Sequence, residues 1–238
     1  MRTLPRNDPR QYDDLAGEWW RPTGVFAPLH WLAAARARLV PPAAGDGAVL
    51  VDIGCGGGLL APYLAGKGYR HIGVDLVGSA LAQAAEHGVL AVAGDAAALP
   101  LPDRCADVVV AGEVLEHVTE LDAAVAEACR VLRPGGRLVL DTLNATALSR
   151  FVTITLAERF SGVPKGIHDP ARYVDPGRLA ALCAAHGVRL RVRGARPTVW
   201  GTVGWLVARR GVARIVPTWS TAVLYQGLGE KEGGPHDG

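Results

Sequence analysis

Lysine is scarce in this 238-residue chain: Lys67, Lys165 and Lys231 are the only three, and the remaining basic residues are arginines. The formal net charge is only +2, so no dominant electrostatic partner is expected. Arginines cluster in RLRVRGAR (189 to 196) and at Arg209, Arg210 and Arg214, but without a flanking aromatic ladder or a reading-helix motif. They read as solvated faces, and no nucleic-acid partner is expected. The opening MRTLPRNDPRQYDDLAGEWW lacks the apolar core of a signal peptide, and no apolar run approaches the ~20 residues of a membrane-spanning helix. A cytoplasmic protein is expected, with peripheral contact at the inner face of a membrane left open. Cys55, Cys105, Cys129 and Cys183 form no C-x-x-C pair and read as reduced, mostly buried thiols rather than a disulfide frame or zinc site. Internal repeats and low-complexity tracts are also missing.

What is present is alternation. HWLAAARARLVPP (30 to 42) predicts an Ala-rich helix stopped by Pro41 and Pro42. AVLVDIGC is a short, continuously apolar run, as a fully buried parallel strand would be, and GLLAPYLAGKG after it predicts a helix closed by glycine. HIGVDL, LAVAGD, ADVVVAGE and RLVLDTL follow as strands, with GSALAQAAEHG and LDAAVAEACRVLRPGG as helices. Strands interleaved with helices predict a right-handed, doubly wound α/β fold. The order breaks at 145 to 172, an insertion candidate that mixes apolar and aromatic residues. DPGRLAALCAAHG and VRLRVRGARP resume as helix and strand. Residues 197 to 227 predict a last hairpin-like element, and 228 to 238 a disordered tail.

VDIGCGGG (51 to 58) is the central motif. Gly54, Gly56, Gly57 and Gly58 stand where a buried strand turns into a helix, so backbone amides can approach a nucleotide-like ligand closely. The dinucleotide pattern G-x-G-x-x-G/A is met only weakly by Gly56, Gly58 and Ala61. Asp52, just before the glycines, suits the ammonium of S-adenosylmethionine and would repel a pyrophosphate. Asp75 closes the next strand, where an acid can accept both ribose hydroxyls, and Asp95 follows the third. Each alone could be a loop aspartate capping a helix. Three acids at three successive strand ends point instead to one ligand at the carboxyl edge of the sheet.

GEVLEHV (112 to 118) sets Glu113, Glu116 and His117 after the fourth strand. If a helix begins near Glu113, spacings of three and four bring the three side chains to one face, enough to hold a divalent ion. The same residues also suit the polar first turn of a helix, or a metal-free site in which His117 is a general base.

These features resemble the class I S-adenosylmethionine-dependent methyltransferases. EWWRPTGVFAPLHWLAAAR, VDIGCGGGLLA, EVLEHV, TLN and VPKGIHD further resemble the O-methyltransferases of ubiquinone biosynthesis over roughly residues 12 to 190. That resemblance implies a Rossmann-like, mostly parallel seven-stranded sheet (residues 30 to 227), a cover segment (1 to 29) and a substrate lid or membrane-facing insertion (145 to 172). It implies S-adenosylmethionine held by Arg36, Gly54, Asp75, Asp95 and Gly112, beside the Asp52 and Gly56 read from the glycine turn. Glu113, Glu116 and His117 would bind Mg²⁺, or the Mn²⁺ or Zn²⁺ that suits a histidine better. The implied substrate is a hydrophobic catechol-like phenol or quinol, methylated on a hydroxyl. His168 is a second candidate base. Phe151, Val152, Ile154, Leu156 and Phe160 beside Arg150, Arg159 and Lys165, and Trp200 and Trp205 beside Arg209 and Arg210, offer surfaces for membrane lipid. Trp31 departs from the family pattern, which carries a basic residue after PLH. The competing expectations are methylation of another small molecule at O, N or C, a cofactor-binding accessory protein without catalysis, and an NAD-dependent oxidoreductase.

Overall fold

The computed structural model describes residues 5–158, 165–208 and 212–233. The expectations placed on Arg159, Phe160, Arg209, Arg210 and the last five residues therefore lie outside the described residues. Eight strands form one sheet: β1 Val49–Ile53, β2 Arg70–Asp75, β3 Leu90–Ala93, β4 Ala106–Gly112, β5 Leu132–Leu143, β6 Val188–Pro197, β7 Ile215–Thr218 and β8 Leu224–Lys231. Their order is β3-β2-β1-β4-β5-β8-β6-β7. The first five run parallel. β8 is antiparallel to both β5 and β6, and β6 to β7. The fold is thus the expected doubly wound α/β architecture with one strand more than seven.

The apolar runs become central strands because both faces are covered. Val51, Ile53, Val109 and Ala111 enter one core together with Val125 of helix α5 (Leu121–Val131) and Leu179 of α7 (Pro176–Ala185). Their neighbours Leu50, Val108 and Val110 enter the other, with Ala33 and Ala37 of α2 (Ala27–Ala37) and Ala80 of α4 (Gly78–Glu86). Burying a large apolar side chain in such a layer contributes about 1.5–3 kcal/mol. The short α1 (Arg10–Asp13) lies in the N-terminal cover.

Several expectations are corrected. The helix expected across 58 to 68 shrinks to α3 (Ala61–Leu64), because Gly66 and Gly68 both take left-handed φ values just beyond it. Residues 197 to 227 hold a helix, α8 (Val199–Ala208), before β7. The insertion is helical at its start, where α6 (Ala147–Arg150) is capped by Thr146 and runs into a π-helix over Phe151–Ala157. The last strand extends past residue 228 to Lys231, where the tail was expected. No helix among the described residues is long and apolar enough to cross a membrane.

Because β8 is antiparallel to β5 and β6 is antiparallel to β8, the C-terminal end of β6 emerges on the same edge as the carboxyl ends of β1 to β5. α6, α8 and the turn before β8 all stand on that edge.

The end of β8 is held by the Lys231 ammonium, which donates to the carbonyls of Cys129 and Leu132 at 2.7 Å each. Lys231→Met should lower the unfolding free energy by about 1–2 kcal/mol in urea titration. An unchanged midpoint would show that this anchor does nothing for the strand.

Candidate active site

The glycine turn lies under the N-terminal cover. Gly54 and Gly56 have φ of +68° and +51°, conformations that L side chains rarely adopt. A Cβ at Gly56 would stand 2.5 Å from the Trp19 ring. The cover is an aromatic stack: Trp19 and Phe26 rings are 4.4 Å apart, and Tyr12 lies 6.0 Å from Trp19. Trp20 donates its indole N–H to the carbonyl of Gly57 at 2.9 Å and stacks on His87. The paired tryptophans therefore clamp the turn that the sequence marks as ligand-binding.

The three strand-end acids occupy the carboxyl edge but are differently engaged. Asp75 accepts from the amides of Gly56 (2.8 Å) and Val77 (2.9 Å), tying the glycine turn to the end of β2. Burial raises its pKa, and those amides oppose the shift. Asp52 is buried with Oδ2 at 3.2 Å from His71 Nε2. Asp95 accepts from the amide of Ala97 at 2.8 Å, the turn-capping role that its type favours.

Arg36 is buried in α2 and pairs fork to fork with Asp141 of β5, Nε to Oδ2 at 2.9 Å and the terminal nitrogen to Oδ1 at 2.7 Å. Burial works against its charge, but Asp141, then Asp52 and Glu113, more than offset that and raise its pKa. A Cβ at Gly112 would fall 1.8 Å from the Arg36 guanidinium carbon. The missing side chain at 112 is thus the space in which the guanidinium sits. Asp141 escaped the sequence reading, although an acid inside the apolar run RLVLDTL was a signal that a buried partner had to exist.

No helix begins at Glu113. Residues 113 to 118 form a turn, Glu113 has φ +51°, and α5 starts only at Leu121. The three side chains consequently do not share a face. Glu116 is fully buried and accepts from Thr142 Oγ1 at 2.7 Å. Burial raises its pKa to about 7. Burial, then repulsion from Glu116 and Asp141, holds Glu113 well above the carboxylate range. His117 turns the other way, toward the cover. Its ring stacks on His168 at 5.3 Å and meets Tyr12 edge-on, and its Nδ1 faces Asn7 Oδ1. Among the described residues no group of three His, Cys, Asp or Glu side chains could hold a metal ion. The metal clamp expected from Glu113, Glu116 and His117 does not fit this geometry, since two carboxyls point into the sheet and the imidazole points out of it.

S-adenosylmethionine fits the same edge better. Trp19 Nε1, Glu113 Oε1, Glu116 Oε1 and His168 Nδ1 are buried there without a hydrogen-bond partner among the described residues. Asp52, Glu113, Glu116 and Asp141 lie around one guanidinium, with Asp75 next to Asp52, so the edge presents carboxyl groups that complement a ligand carrying a sulfonium and an ammonium. Arg36, held by Asp141, and Asp75, tied to the Gly56 amide, are the expected cofactor contacts that the fold brings to this edge.

Gly112→Ala should displace the Arg36 guanidinium and cost about 3 kcal/mol or more in denaturant unfolding, the price of breaking a buried pair. Wild-type stability would show that the guanidinium relocates freely. Burial, reinforced by the neighbouring cations, lowers the pKa of His117 to about 3, and burial lowers that of His168 to about 4. Their unfolded values are higher, so this contribution is present above about pH 6.5 and is lost as the pH falls toward those values. The double variant His117→Gln/His168→Gln should lose less stability than wild type between pH 7 and pH 5 when melting is followed across that range.

A family model described as a methyltransferase domain matches residues 51–140. The chain is 37% identical over 200 residues to the ubiquinone biosynthesis O-methyltransferase of Paraburkholderia phytofirmans, covering 79% of this chain and 85% of that one. It is 32% identical over 226 residues to the enzyme of the same name from Leptothrix cholodnii, covering 88% and 95%. In fold it is similar to a S-adenosylmethionine-dependent methyltransferase of Thermotoga maritima described as a possible histamine N-methyltransferase, with TM-score 0.67, 19% identity, and 93% and 97% of the two chains covered. Identity of that extent over most of both sequences, on a sheet whose carboxyl edge presents the glycine turn and its acids, means that the chain belongs to the S-adenosylmethionine-dependent O-methyltransferase family of ubiquinone biosynthesis.

Proposed function

We propose that this enzyme methylates a hydroxyl of a hydrophobic catechol-like or hydroquinone acceptor, with a polyprenyl quinol precursor as the leading candidate. The names of its relatives support the pathway. The observation that carries the chemistry is the Asn7–His117 pair. Asn7 Nδ2 donates to the carbonyl of His117 at 2.8 Å, which fixes the amide so that Oδ1 faces the ring. Nδ1 is then the protonated nitrogen, and Nε2 keeps the lone pair that can accept a proton.

When bound, S-adenosylmethionine supplies an electrophilic methyl on a sulfonium. The protein must lower the barrier to forming an oxyanion from a phenol whose ordinary pKa is ~10. His117 would take the hydroxyl proton at Nε2, leaving the acceptor oxygen free to receive the methyl that the cofactor, held beside the glycine turn, would supply. Tyr12, His168 and Tyr173 wall this end of the sheet with rings, and the cover excludes water. Arg172 helps to hold the turn by donating to the His117 carbonyl at 3.0 Å.

The test is methyl transfer from labelled S-adenosylmethionine to a panel of catechols and reduced quinones, with and without EDTA. Activity should survive chelation, and His117→Ala should lower kcat by about 100-fold or more while cofactor affinity changes by less than about three-fold. Activity that dies with EDTA and returns with Mg²⁺ would overturn the unassisted base, and an unchanged rate in the variant would leave His117 structural.

A further inference from the structure

His71 is a buried polar side chain that neither the apolar sheet nor the chemistry at His117 accounts for. It stands on β2 opposite Leu50 of β1, and Gly73 stands opposite Asp52. Side chains two residues apart on a strand share a face, so His71 reaches Asp52 diagonally, and Gly73 offers no side chain to compete for the carboxylate. Both groups are more than nine-tenths buried. An imidazole taken out of water at such a strand position costs stability unless it is hydrogen-bonded. The contact of Nε2 with Asp52 Oδ2 at 3.2 Å is the one hydrogen bond its ring makes among the described residues, and Nδ1 has no partner there.

A buried N–H without a partner is costlier than a buried lone pair, so the ring proton belongs on Nε2, where it donates to Asp52. A ring with no proton on Nδ1 holds the carboxylate without cancelling its charge. Asp141 is the contrast, since both its oxygens accept from the Arg36 guanidinium. Glu113 and Glu116 are the other acids around Arg36. Burial raises the pKa of both, that of Glu116 to about 7, which makes them poorer partners for a cation near neutral pH. Asp52 is left as the carboxylate of that group with one oxygen anchored and the other, Oδ1, making no hydrogen bond among the described residues.

We propose that His71 is a positioning residue for the methyl donor: it ties down Oδ2 of Asp52 and so presents Oδ1 to the ammonium of the cofactor's amino-acid group. The proposal rests on S-adenosylmethionine as the donor, whichever acceptor is methylated.

The experiment is calorimetric titration of the full chain with S-adenosylhomocysteine and with methylthioadenosine, which keeps the adenosine and the sulfur but has no ammonium. His71→Leu should weaken S-adenosylhomocysteine about ten-fold and methylthioadenosine by less than about two-fold. His71→Gln, whose amide can still donate to Oδ2, should recover most of that loss. Equal losses for both ligands would make His71 a strand residue only, and unchanged affinities would show that Asp52 needs no holder; either result overturns the proposal. For the case in which His71→Leu does not fold, the wild-type chain is read by NMR with nitrogen-labelled histidine, the His71 ring being assigned by its loss in His71→Gln. Its Nε2 signal should move with S-adenosylhomocysteine and stay in place with methylthioadenosine, and a signal that treats the two ligands alike would overturn the proposal. A wild-type chain that binds neither ligand would overturn it together with the cofactor it rests on. No acceptor enters these titrations, so failure of methyl transfer to the phenol panel is a separate result.

Discussion

The guanidinium of Arg36 is the one arginine or lysine buried among the described residues, and it lies where the sheet gathers its acids. Asp141 holds it by two hydrogen bonds, with Asp52 and Glu113 close enough to stabilise its charge. Without it, several carboxyls would face one another in a low dielectric at a cost of several kcal/mol. With it, that repulsion is relieved, and the edge keeps carboxyl oxygens that complement a cofactor carrying a sulfonium and an ammonium. The same pair fixes architecture. It joins α2 to β5 across the end of β4, and it dictates glycine at 112 because no side chain fits beside the fork. One ion pair thus sets the position of a helix, the identity of a strand residue and the electrostatic character of the site.

The cover depends on a second close approach. Trp19 can lie on the glycine turn only because Gly56 and Gly57 lack side chains, with ring atoms under 3 Å from where each Cβ would be. Glycines there serve two ends: a backbone bent into left-handed φ values and a flat seat for the indole. The cover also brings Asn7 to His117, so the orientation of the ring is set by a residue 110 positions away. Orientation of the imidazole and closure over the turn are therefore properties of the same segment. Loss of the cover would both wet the site and free the ring.

The parallel core was legible because its strands are unbroken apolar runs ending in Asp or Gly, a pattern that only two-sided burial explains. Asp52 and Asp75 were legible for the same reason, as charges placed where the runs stop. Other features depend on geometry that spacing does not encode. A three- and four-residue spacing joins Glu113, Glu116 and His117 only on a helix, and the positive φ at Glu113 breaks that premise. Asn7 carries no local signal at all. The hairpin expected from 197 to 227 became helix plus strand because VWGTVGWLVA is apolar all along, and periodicity cannot tell a buried strand from a helix in such a run.

That same lack of periodicity is informative about the surface. A helix that buries one stripe would carry polar residues on its other side. α8 buries Trp205 and still exposes Trp200 and Val207, so water is a poor solvent for its outer face. The strand directions place this face on the edge where the acids, the glycine turn and His117 also lie.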